Sequence, residues 1–244
     1  MHILVTAGNT QAPIDRVRCI TNIFTGRTGA AVALRAWERG HTVTLLTSHP
    51  ETVTDLRAGR QPGERWELSR YRTYDDLRHL MAEGVSRGQF GVVIHCAAVS
   101  DYLADGVFGA AEGTAFDPAT GRWSVRTTSR LVDGKIKSDA PELWLRLVRA
   151  PKLIDRVRPD WRFRGILVKF KLEVGIDEAR LLDIAERSRR QSSADLMVAN
   201  TLEGAAEWAY VGPTEGAYQR TARGDLAARV IGAVERLHAE HTHG

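Results

Sequence analysis

The sequence predicts an α/β fold in which a mostly parallel sheet carries helices on both faces. Short apolar runs alternate along the chain with amphipathic stretches of helical period, in the order strand, helix, strand. Polar segments rich in small residues follow two of these runs, at residues 6–29 and 95–102. Ligands of open α/β sheets bind outside the carboxyl ends of the strands, so these two segments predict the functional site. Residues 103–134 show neither the apolar runs of buried strands nor the helical period, and they predict a lid, a binding loop or a dimer arm.

The individual elements follow from hydrophobic period and from residues that end helices or turns. The first half predicts, in order, the strand MHILV, the helix AAVALRAWERG ended by Gly40, the strand HTVTLLTS, an edge or half-buried strand in WELSRYRT, the helix DDLRHLMAEGVSRG and the strand FGVVIHCAA. The second half first predicts a hairpin at DPATGRW, after which the sheet resumes at LWLRLV. The helix PKLIDRVRPDW and the strand GILVKFKLEV follow, and then a helix with apolar positions at Ala179, Leu182, Ile184 and Ala185. The strands DLMVANTL and EWAYVG and the helix LAARVIGAVERLHAE complete the order. No repeat or low-complexity linker interrupts this order, so we predict one Rossmann-like three-layer domain over 1–244 with a lid or arm at about 103–134.

Composition narrows the class of protein. The 34 basic and 30 acidic residues are dispersed along the chain, a pattern that does not predict a nucleic-acid partner and suits small anionic substrates. Two cysteines do not make a disulfide framework, and no apolar run is long enough to span a membrane. With the first strand starting at residue 2, we expect a cytoplasmic enzyme without a membrane partner.

The first polar segment departs from a dinucleotide-binding turn. Such a turn places its glycines directly after the strand, whereas here about twenty residues separate the strand from Gly26 and Gly29. Thr25 and Gly26 precede a helix whose N-terminus favours anions, Arg27 adds a charge, and Gly8 lies in the same excursion. These residues predict a phosphate site; the alternative is an ordinary helix start with a threonine N-cap.

The other strand-end segment and a lysine pair are further candidates. Ala97 and Ala98 leave room for a base or ribose, and Asp101 offers a carboxylate, although the same aspartate could cap a turn. Lys135 and Lys137 share one face of an extended segment and suit a polyphosphate, the alternative being a solvated charge pair.

Two cysteines and a histidine fit structural roles better than chemical ones. We interpret His95 as a packed, hydrogen-bonded side chain and Cys19 and Cys96 as small core residues.

Taken in order, these segments resemble the phosphopantothenate–cysteine ligase (phosphopantothenoylcysteine synthetase) family in a stand-alone form. The resemblance runs from His2 to about Leu202. It rests on TAG-T at 6–10, VR-IxN at 17–22, TGRxG at 25–29, AAVSDY at 97–102, KIKS at 135–138, PKLI at 151–154, FKLEV at 170–174 and ADLMVAN at 194–200.

The resemblance implies a reaction of coenzyme A biosynthesis. The carboxylate of 4′-phosphopantothenate attacks the α-phosphate of CTP or ATP, pyrophosphate leaves, and the amine of L-cysteine then attacks the acyl-nucleotidylate. CTP is favoured over ATP. Mg²⁺ is implied as well, held mainly by the triphosphate, with Asp101 a candidate nearby and the protein ligands otherwise unknown.

The resemblance also assigns roles to single residues. Lys135 matches a lysine that stabilises the phosphoryl charge, Asn22 an asparagine that handles the acyl intermediate, and Asp101 an aspartate of the second half-reaction. Arg18 matches an arginine that holds the substrate phosphate in the family's homodimers. The implied nucleotide-binding residues are Gly8, Thr25, Gly26, Arg27, Gly29, Ala97, Ala98, Lys137 and Phe170. A separate flavin-dependent phosphopantothenoylcysteine decarboxylase is an implied functional partner.

Two departures from the family pattern leave other functions open. Phe24 stands where a small hydroxyl residue is common, and Lys169 precedes Phe170 where glycine is common. A non-catalytic nucleotide-binding paralogue is therefore one alternative. An NAD(P)-dependent short-chain-dehydrogenase-like enzyme is another, but the chain lacks a glycine-rich turn directly after the first strand.

Overall fold

The computed structural model describes residues 1–57, 59, 63–110, 113–124, 128–130 and 142–243, which form two compact units. The sheet unit consists of Met1–Thr10, Ile23–Val99 and Lys152–Gly244, and the arm unit of Gln11–Asn22 and Ser100–Pro151. The single domain expected from the sequence stays a prediction.

Fifteen strands and six helices occur in the described residues. The strands are β1 His2–Ala7, β2 Gln11–Pro13, β3 Cys19–Thr21, β4 Thr42–Thr47, β5 Trp66–Arg70, β6 Val92–His95, β7 Tyr102–Ala110, β8 Ala115–Asp117, β9 Arg122–Ser124, β10 Thr128–Arg130, β11 Leu143–Arg149, β12 Ile166–Glu173, β13 Leu196–Thr201, β14 Trp208–Thr214 and β15 Ala217–Ala222. The helices are α1 Arg27–Glu38, α2 Pro50–Leu56, α3 Tyr74–Ser86, α4 Leu153–Arg156, α5 Glu178–Gln191 and α6 Leu226–His243, the last preceded by a 3₁₀ turn at Arg223–Asp225.

The sheet unit contains one eight-stranded sheet in the order β15-β14-β13-β12-β6-β1-β4-β5. Its pairings are parallel from β5 to β13, and antiparallel only where β14 and β15 extend the edge. The predicted mostly parallel α/β fold is therefore confirmed, and β5 lies at the edge as expected.

Side-chain alternation along the strands places helices on both faces of this sheet. On β13, Leu196 and Val198 belong to the main core, together with α1 and α6 residues such as Ala33 and Val230. The intervening Met197 and Ala199 pack instead with Leu181 and Ala185 of α5. Since successive strand residues point to opposite faces, α1 and α6 cover one face and α5 the other.

The arm unit is antiparallel and is built around β7, in the strand order β10-β7-β11. The strand β11 was expected in the main sheet, and that expectation was wrong. A central parallel strand is buried on both faces and must be apolar almost throughout, whereas β11 carries Arg146 and Arg149 and stays largely exposed.

Two hairpins complete the arm unit. The hairpin predicted at DPATGRW is confirmed as β8–β9, where Asp117 accepts hydrogen bonds from Ala119 N at 2.9 Å and Thr120 Oγ1 at 2.5 Å. The other hairpin, β2–β3, occupies the long excursion after β1. In its connection, Asp15 accepts from the backbone N–H of Val17 and Arg18 at 2.8 and 2.7 Å.

Two predicted helices differ from the observed ones. The helix expected over 151–161 is reduced to α4, because Pro159 lacks an N–H and Arg158 holds the following chain by donating to the carbonyls of Phe163 and Gly165. In α5 the buried residues are Leu181 and Ala185, and Ala179, one of the apolar positions noted in the sequence, is exposed.

No helix in the described part of the chain has the length and apolar character required to cross a membrane.

A neutral imidazole is buried in the face covered by α5. His95 is 7% exposed and its Nδ1 lies 2.9 Å from Thr6 Oγ1, which agrees with the structural role predicted for it. Burial, and next the charge of Lys169, lower the pKa of His95 from 6.5 to about 4. Lys169 itself lies beside α5, where Nζ donates to the carbonyl of Ser188 at 2.9 Å and to Ser192 Oγ.

We expect His95 to destabilise the fold in acid. Its folded-state pKa is depressed, so the unfolded chain binds the proton first as the pH falls below 6.5, and stability is lost down to about pH 4. The loss is on the order of 3 kcal/mol. Urea unfolding between pH 7 and 4 should show a smaller loss for His95→Gln than for the unmodified chain. His79→Gln, at an exposed position of α3, is the matched control; equal pH slopes for all three proteins would contradict this account.

Candidate functional site

The ends of β1 and β6 remain paired beyond the strands themselves. Cys96 N donates to Thr6 O at 3.2 Å, Ala98 N to Gly8 O at 2.8 Å and Thr10 N to Ala98 O at 3.3 Å. The Oγ1 of Thr6 also accepts from Ala97 N at 3.2 Å. The two polar segments recognised in the sequence therefore lie side by side at the carboxyl edge of the sheet.

The helix α1 begins directly against the end of β1. Gly26 has φ 81° and serves as N-cap without a side-chain hydrogen bond, so the threonine N-cap considered from the sequence is absent here. A Cβ on Gly26 would lie 2.3 Å from Gly8 N and 2.8 Å from Gly8 Cα. The approach requires glycine at position 26, because φ in this range and the missing Cβ are both needed there. A Cβ on Gly8 would instead meet Ser48 Oγ at 2.2 Å.

Gly29 holds the next turn of α1 to the same strand. A Cβ at this position would lie 2.7 Å from Ala7 Cβ and 3.0 Å from Thr6 O. The residue is buried and does not line the cavity described below, although it was predicted to bind nucleotide. Its observed contact is the close packing of helix on strand, and its nucleotide-binding role stays a prediction.

A cavity of about 400 Å³ opens where these elements meet, entirely within the sheet unit. Seven of the predicted nucleotide-binding residues line it: Gly8, Thr25, Gly26, Arg27, Ala97, Ala98 and Phe170. The remaining lining residues are Ile23, Phe24, Thr28, Cys96, Lys171, Leu172, Val198, Asn200, Ala205, Arg223 and Leu226. The sequence thus predicts the part of the wall that follows β1 and β6, together with Phe170.

The charges of this wall are basic. Among the lining residues there are three cations and no aspartate or glutamate. Lys171 Nζ pairs with Glu173 Oε1 at 2.8 Å, so its charge is compensated. Arg27 is exposed at the first position of α1, and Arg223 donates from Nη2 to Thr28 Oγ1 in the same helical turn. A helix N-terminus and two guanidinium groups together favour an anionic ligand.

The lining residues that were not predicted from the sequence include Lys171, Asn200 and Arg223. Asn200 and Arg223 come from β13 and from the turn before α6, far along the chain from the glycine segment. Lys171 lies in the FKLEV segment, but nothing in the residue types marks it as part of a wall. The strand order brings Lys171 of β12 and Asn200 of β13 beside the ends of β1 and β6, and the turn after β15 brings Arg223 to Thr28 of α1.

The two departures from the family pattern fall in different places. Phe24 lines the cavity and is 38% exposed. Lys169 does not line it, because its side chain points to the α5 face and its Nζ lies 3.8 Å from Asp155 Oδ1. Of the two, only Phe24 can contact a ligand in this cavity.

The cysteines behave differently from one another. Burial raises the pKa of the Cys96 thiol to about 12, a value that keeps it protonated and a poor nucleophile. Cys19, expected as a core residue, is exposed on β3, so that expectation was wrong. Its cross-strand partner in the hairpin, Pro13, is exposed as well, so the face of the hairpin that carries Cys19 is not covered.

The predicted catalytic residues lie outside the sheet unit or outside the described residues. Asn22 and Asp101 belong to the arm unit, as does Arg18, whose Nη2 pairs with Asp15 Oδ2 at 2.7 Å. Lys135 and Lys137 lie outside the described residues. Within the described part of the chain, no three His, Cys, Asp or Glu side chains are grouped closely enough to hold a metal. The roles of these residues stay predictions.

Comparison with known proteins identifies the relatives of this chain. Residues 1–109 match the family model of the DNA/pantothenate metabolism flavoprotein C-terminal domain. The coenzyme A biosynthesis bifunctional protein CoaBC of Thermococcus kodakarensis is 31% identical over 201 residues, which are 82% of this chain and 41% of the relative.

Solved structures agree with this match. The DNA/pantothenate metabolism flavoprotein from Streptococcus pneumoniae superposes with a TM-score of 0.76 and 28% identity, over 97% of this chain and 99% of the other. A Cab2 mutant in complex with phosphopantothenate-cysteine gives a TM-score of 0.70 over 100% and 89% of the two chains; at 19% identity it supports the fold alone.

The chain is similar to the DNA/pantothenate metabolism flavoprotein C-terminal domain over residues 1–109 and to the bifunctional protein CoaBC over most of its length. The resemblance found in the motifs is thereby confirmed. The chain spans only 41% of the length of the curated relative, so the activities of that bifunctional protein are not transferred by the match itself.

The contact between Gly26 and Gly8 is open to a direct test. We expect Gly26→Ala to cost about 2 kcal/mol or more in the free energy of unfolding, from positive-φ strain and from overpacking against backbone. Gly216→Ala is the matched control, because Gly216 has φ 82° with nothing within 4 Å of the added Cβ. It should cost about 1 kcal/mol from the φ strain alone. Urea unfolding of both variants measures the difference, and equal losses would show that the close approach is unimportant.

Proposed function

We propose that this chain is a phosphopantothenate–cysteine ligase of coenzyme A biosynthesis. The observation that carries the proposal is the cavity at the carboxyl ends of β1 and β6, which combines glycine backbone, the α1 N-terminus and two arginines without a lining carboxylate. Its volume suits a small ligand, and its charge suits the triphosphate of a nucleotide. Similarity to the coenzyme A biosynthesis bifunctional protein CoaBC supports the same reaction.

The proposed reaction has two balanced steps. A carboxylate oxygen of 4′-phosphopantothenate attacks the α-phosphorus of the nucleoside triphosphate, and the bond to the β-phosphate oxygen breaks as pyrophosphate leaves. The amine nitrogen of L-cysteine then attacks the acyl carbon, nucleoside monophosphate leaves, and the nitrogen gives up a proton. Little covalent help from the protein is needed, so positioning and charge stabilisation dominate.

The residues of the sheet unit would bind the nucleotide. Gly8, Gly26 and the first turn of α1 present backbone N–H groups, with Arg27 close by in sequence, and these would hold phosphate oxygens. Ala97 and Ala98 leave a flat wall for the base or ribose, with Phe170 on the same lining. We propose CTP as the preferred nucleotide.

The proposed roles of four further residues rest on the resemblance of their motifs to the ligase family: Asn22, Asp101, Lys135 and Arg18. In the proposal Lys135 stabilises the charge on the α-phosphate, Asn22 donates hydrogen bonds to the acyl carbonyl, and Asp101 serves the attack by cysteine. When bound, Mg²⁺ would supply further neutralisation of phosphate charge, and it would be held mainly by the triphosphate.

The test of this function is pyrophosphate release. Mixing the protein with 4′-phosphopantothenate, L-cysteine, Mg²⁺ and either CTP or ATP should release pyrophosphate, faster with CTP. The control is the same mixture without phosphopantothenate, which should release no pyrophosphate. Absence of release with both nucleotides contradicts the ligase function; nucleotide binding in that case points to a non-catalytic paralogue, and tight binding of NADPH by fluorescence titration points to a dehydrogenase-like enzyme.

Lys135→Ala should lower the rate of pyrophosphate release by about 10² or more, since it removes a charge that acts in the transition state. Lys152→Ala, at an exposed lysine of the sheet unit, is the matched control and should keep the original rate. Equal rates for the two variants would rule out the role given to Lys135.

Asn22→Asp should impair amide formation with little change in melting temperature. A polar side chain that only hydrogen-bonds a reaction intermediate contributes little to the folded state, whereas a structural one contributes directly. Thermal unfolding and product formation are measured on the same preparation. A collapse of the melting temperature would instead mark Asn22 as structural.

A further inference from the structure

Arg223 is placed in the cavity by two independent hydrogen bonds. Its backbone N donates to Glu207 O at 2.8 Å, which anchors the 3₁₀ turn before α6. Its side chain donates from Nη2 to Thr28 Oγ1, at the second position of α1. The residue lines the cavity and is only partly exposed. A flexible arginine is thereby held in one orientation before any ligand arrives.

The charge of Arg223 differs from that of the other cations in the wall. Lys171 is neutralised by Glu173, and Arg27 is exposed to solvent, which screens its charge. Arg223 is partly buried, and in the described ranges it forms no ion pair with a carboxylate. Arg223 also influences Cys96, another lining residue. Burial, the larger effect, raises the pKa of the Cys96 thiol, and the positive charge of Arg223 lowers it.

The charge of a partly buried guanidinium is screened less by solvent than that of an exposed one, so it interacts more strongly with an anion in the cavity. One of the five N–H donors of Arg223 is used by Thr28, which leaves a fork of donors for another acceptor. Arginine binds phosphate oxygens through two parallel hydrogen bonds, and a group held in advance loses less entropy on binding.

We propose that Arg223 is a phosphate-binding residue of the cavity, oriented by Thr28, and that it holds the polyphosphate of the nucleotide. The identification of the polyanion as a nucleoside triphosphate rests on the proposed function. Arg223 and the first turn of α1 then act on the same ligand, because Thr28 contacts the guanidinium within that turn. The turn before α6 is thereby part of the nucleotide site.

The experiment measures binding by calorimetry with three probes: inorganic tripolyphosphate, the better-binding nucleotide of CTP and ATP, and the matching nucleoside. Arg223→Ala should weaken tripolyphosphate and the nucleotide by about tenfold or more and leave the nucleoside within about twofold. Arg223→Lys should lose less, because it retains the charge but not the fork. Arg220→Ala is the matched control: Arg220 is exposed on the neighbouring β15, over the ring of Trp208, and does not line the cavity.

The role of Thr28 is tested by coupling. Thr28→Val should weaken tripolyphosphate binding in the original protein and have no further effect in the Arg223→Ala background, since the hydrogen bond is then already lost. Equal effects in both backgrounds would contradict the orienting role. Melting temperatures of all variants show that the folded state is retained.

The outcomes separate this inference from the ligase function. Unchanged triphosphate affinity in Arg223→Ala, or an equal loss for nucleotide and nucleoside, overturns the inference even if pyrophosphate is released normally. Arg223-dependent triphosphate binding without pyrophosphate release supports the inference and contradicts the ligase function. Failure of the original protein to bind tripolyphosphate or either nucleotide overturns the inference.

Discussion

The backbone contact between Gly26 and Gly8 is the constraint on which the site depends. A Cβ added at Gly26 would lie 2.3 Å from Gly8 N, so glycine at position 26 lets the helix begin against the end of β1. Gly29 extends the contact by one turn to Ala7. The cavity wall, the position of Arg27 and the hydrogen bond from Arg223 to Thr28 all require the helix to start at this place.

This contact also explains the long excursion between β1 and α1. In a dinucleotide-binding turn the helix follows the strand directly, and its N-terminus receives a phosphate. Here the same meeting of strand end and helix N-terminus is retained, but the chain first leaves the sheet unit to form the β2–β3 hairpin of the arm unit. The excursion is therefore an insertion between the strand and the helix, and the segment that carries Arg18 and Asn22 belongs to the inserted part.

Charges in the sheet unit fall into two groups. Those on the α5 face are neutralised or hydrogen-bonded: His95 is neutral beside Thr6, and Lys169 donates to Ser188 and Ser192 near Asp155. Those at the cavity are not matched by lining carboxylates. Because a buried charge must be balanced, the first group stabilises the fold. Of the second group, Lys171 is paired with Glu173, and Arg27 and Arg223 are the cations assigned to the proposed ligand.

The sequence by itself determined the parallel sheet, the two strand ends that form the site and most residues of the glycine and alanine segments. These are local properties, since hydrophobic period and strand-end polarity are carried by neighbouring residues. The sequence assigned β11 to the wrong sheet, made α4 too long and placed Cys19 in the core. These errors arise because the burial of a segment depends on which other element it packs against. Only the tertiary structure decided that Arg223 and Asn200 join the wall and that Lys169 turns away from it. Strand order sets which distant residues meet, and alternation along β12 places Lys169 on the opposite face from Val168.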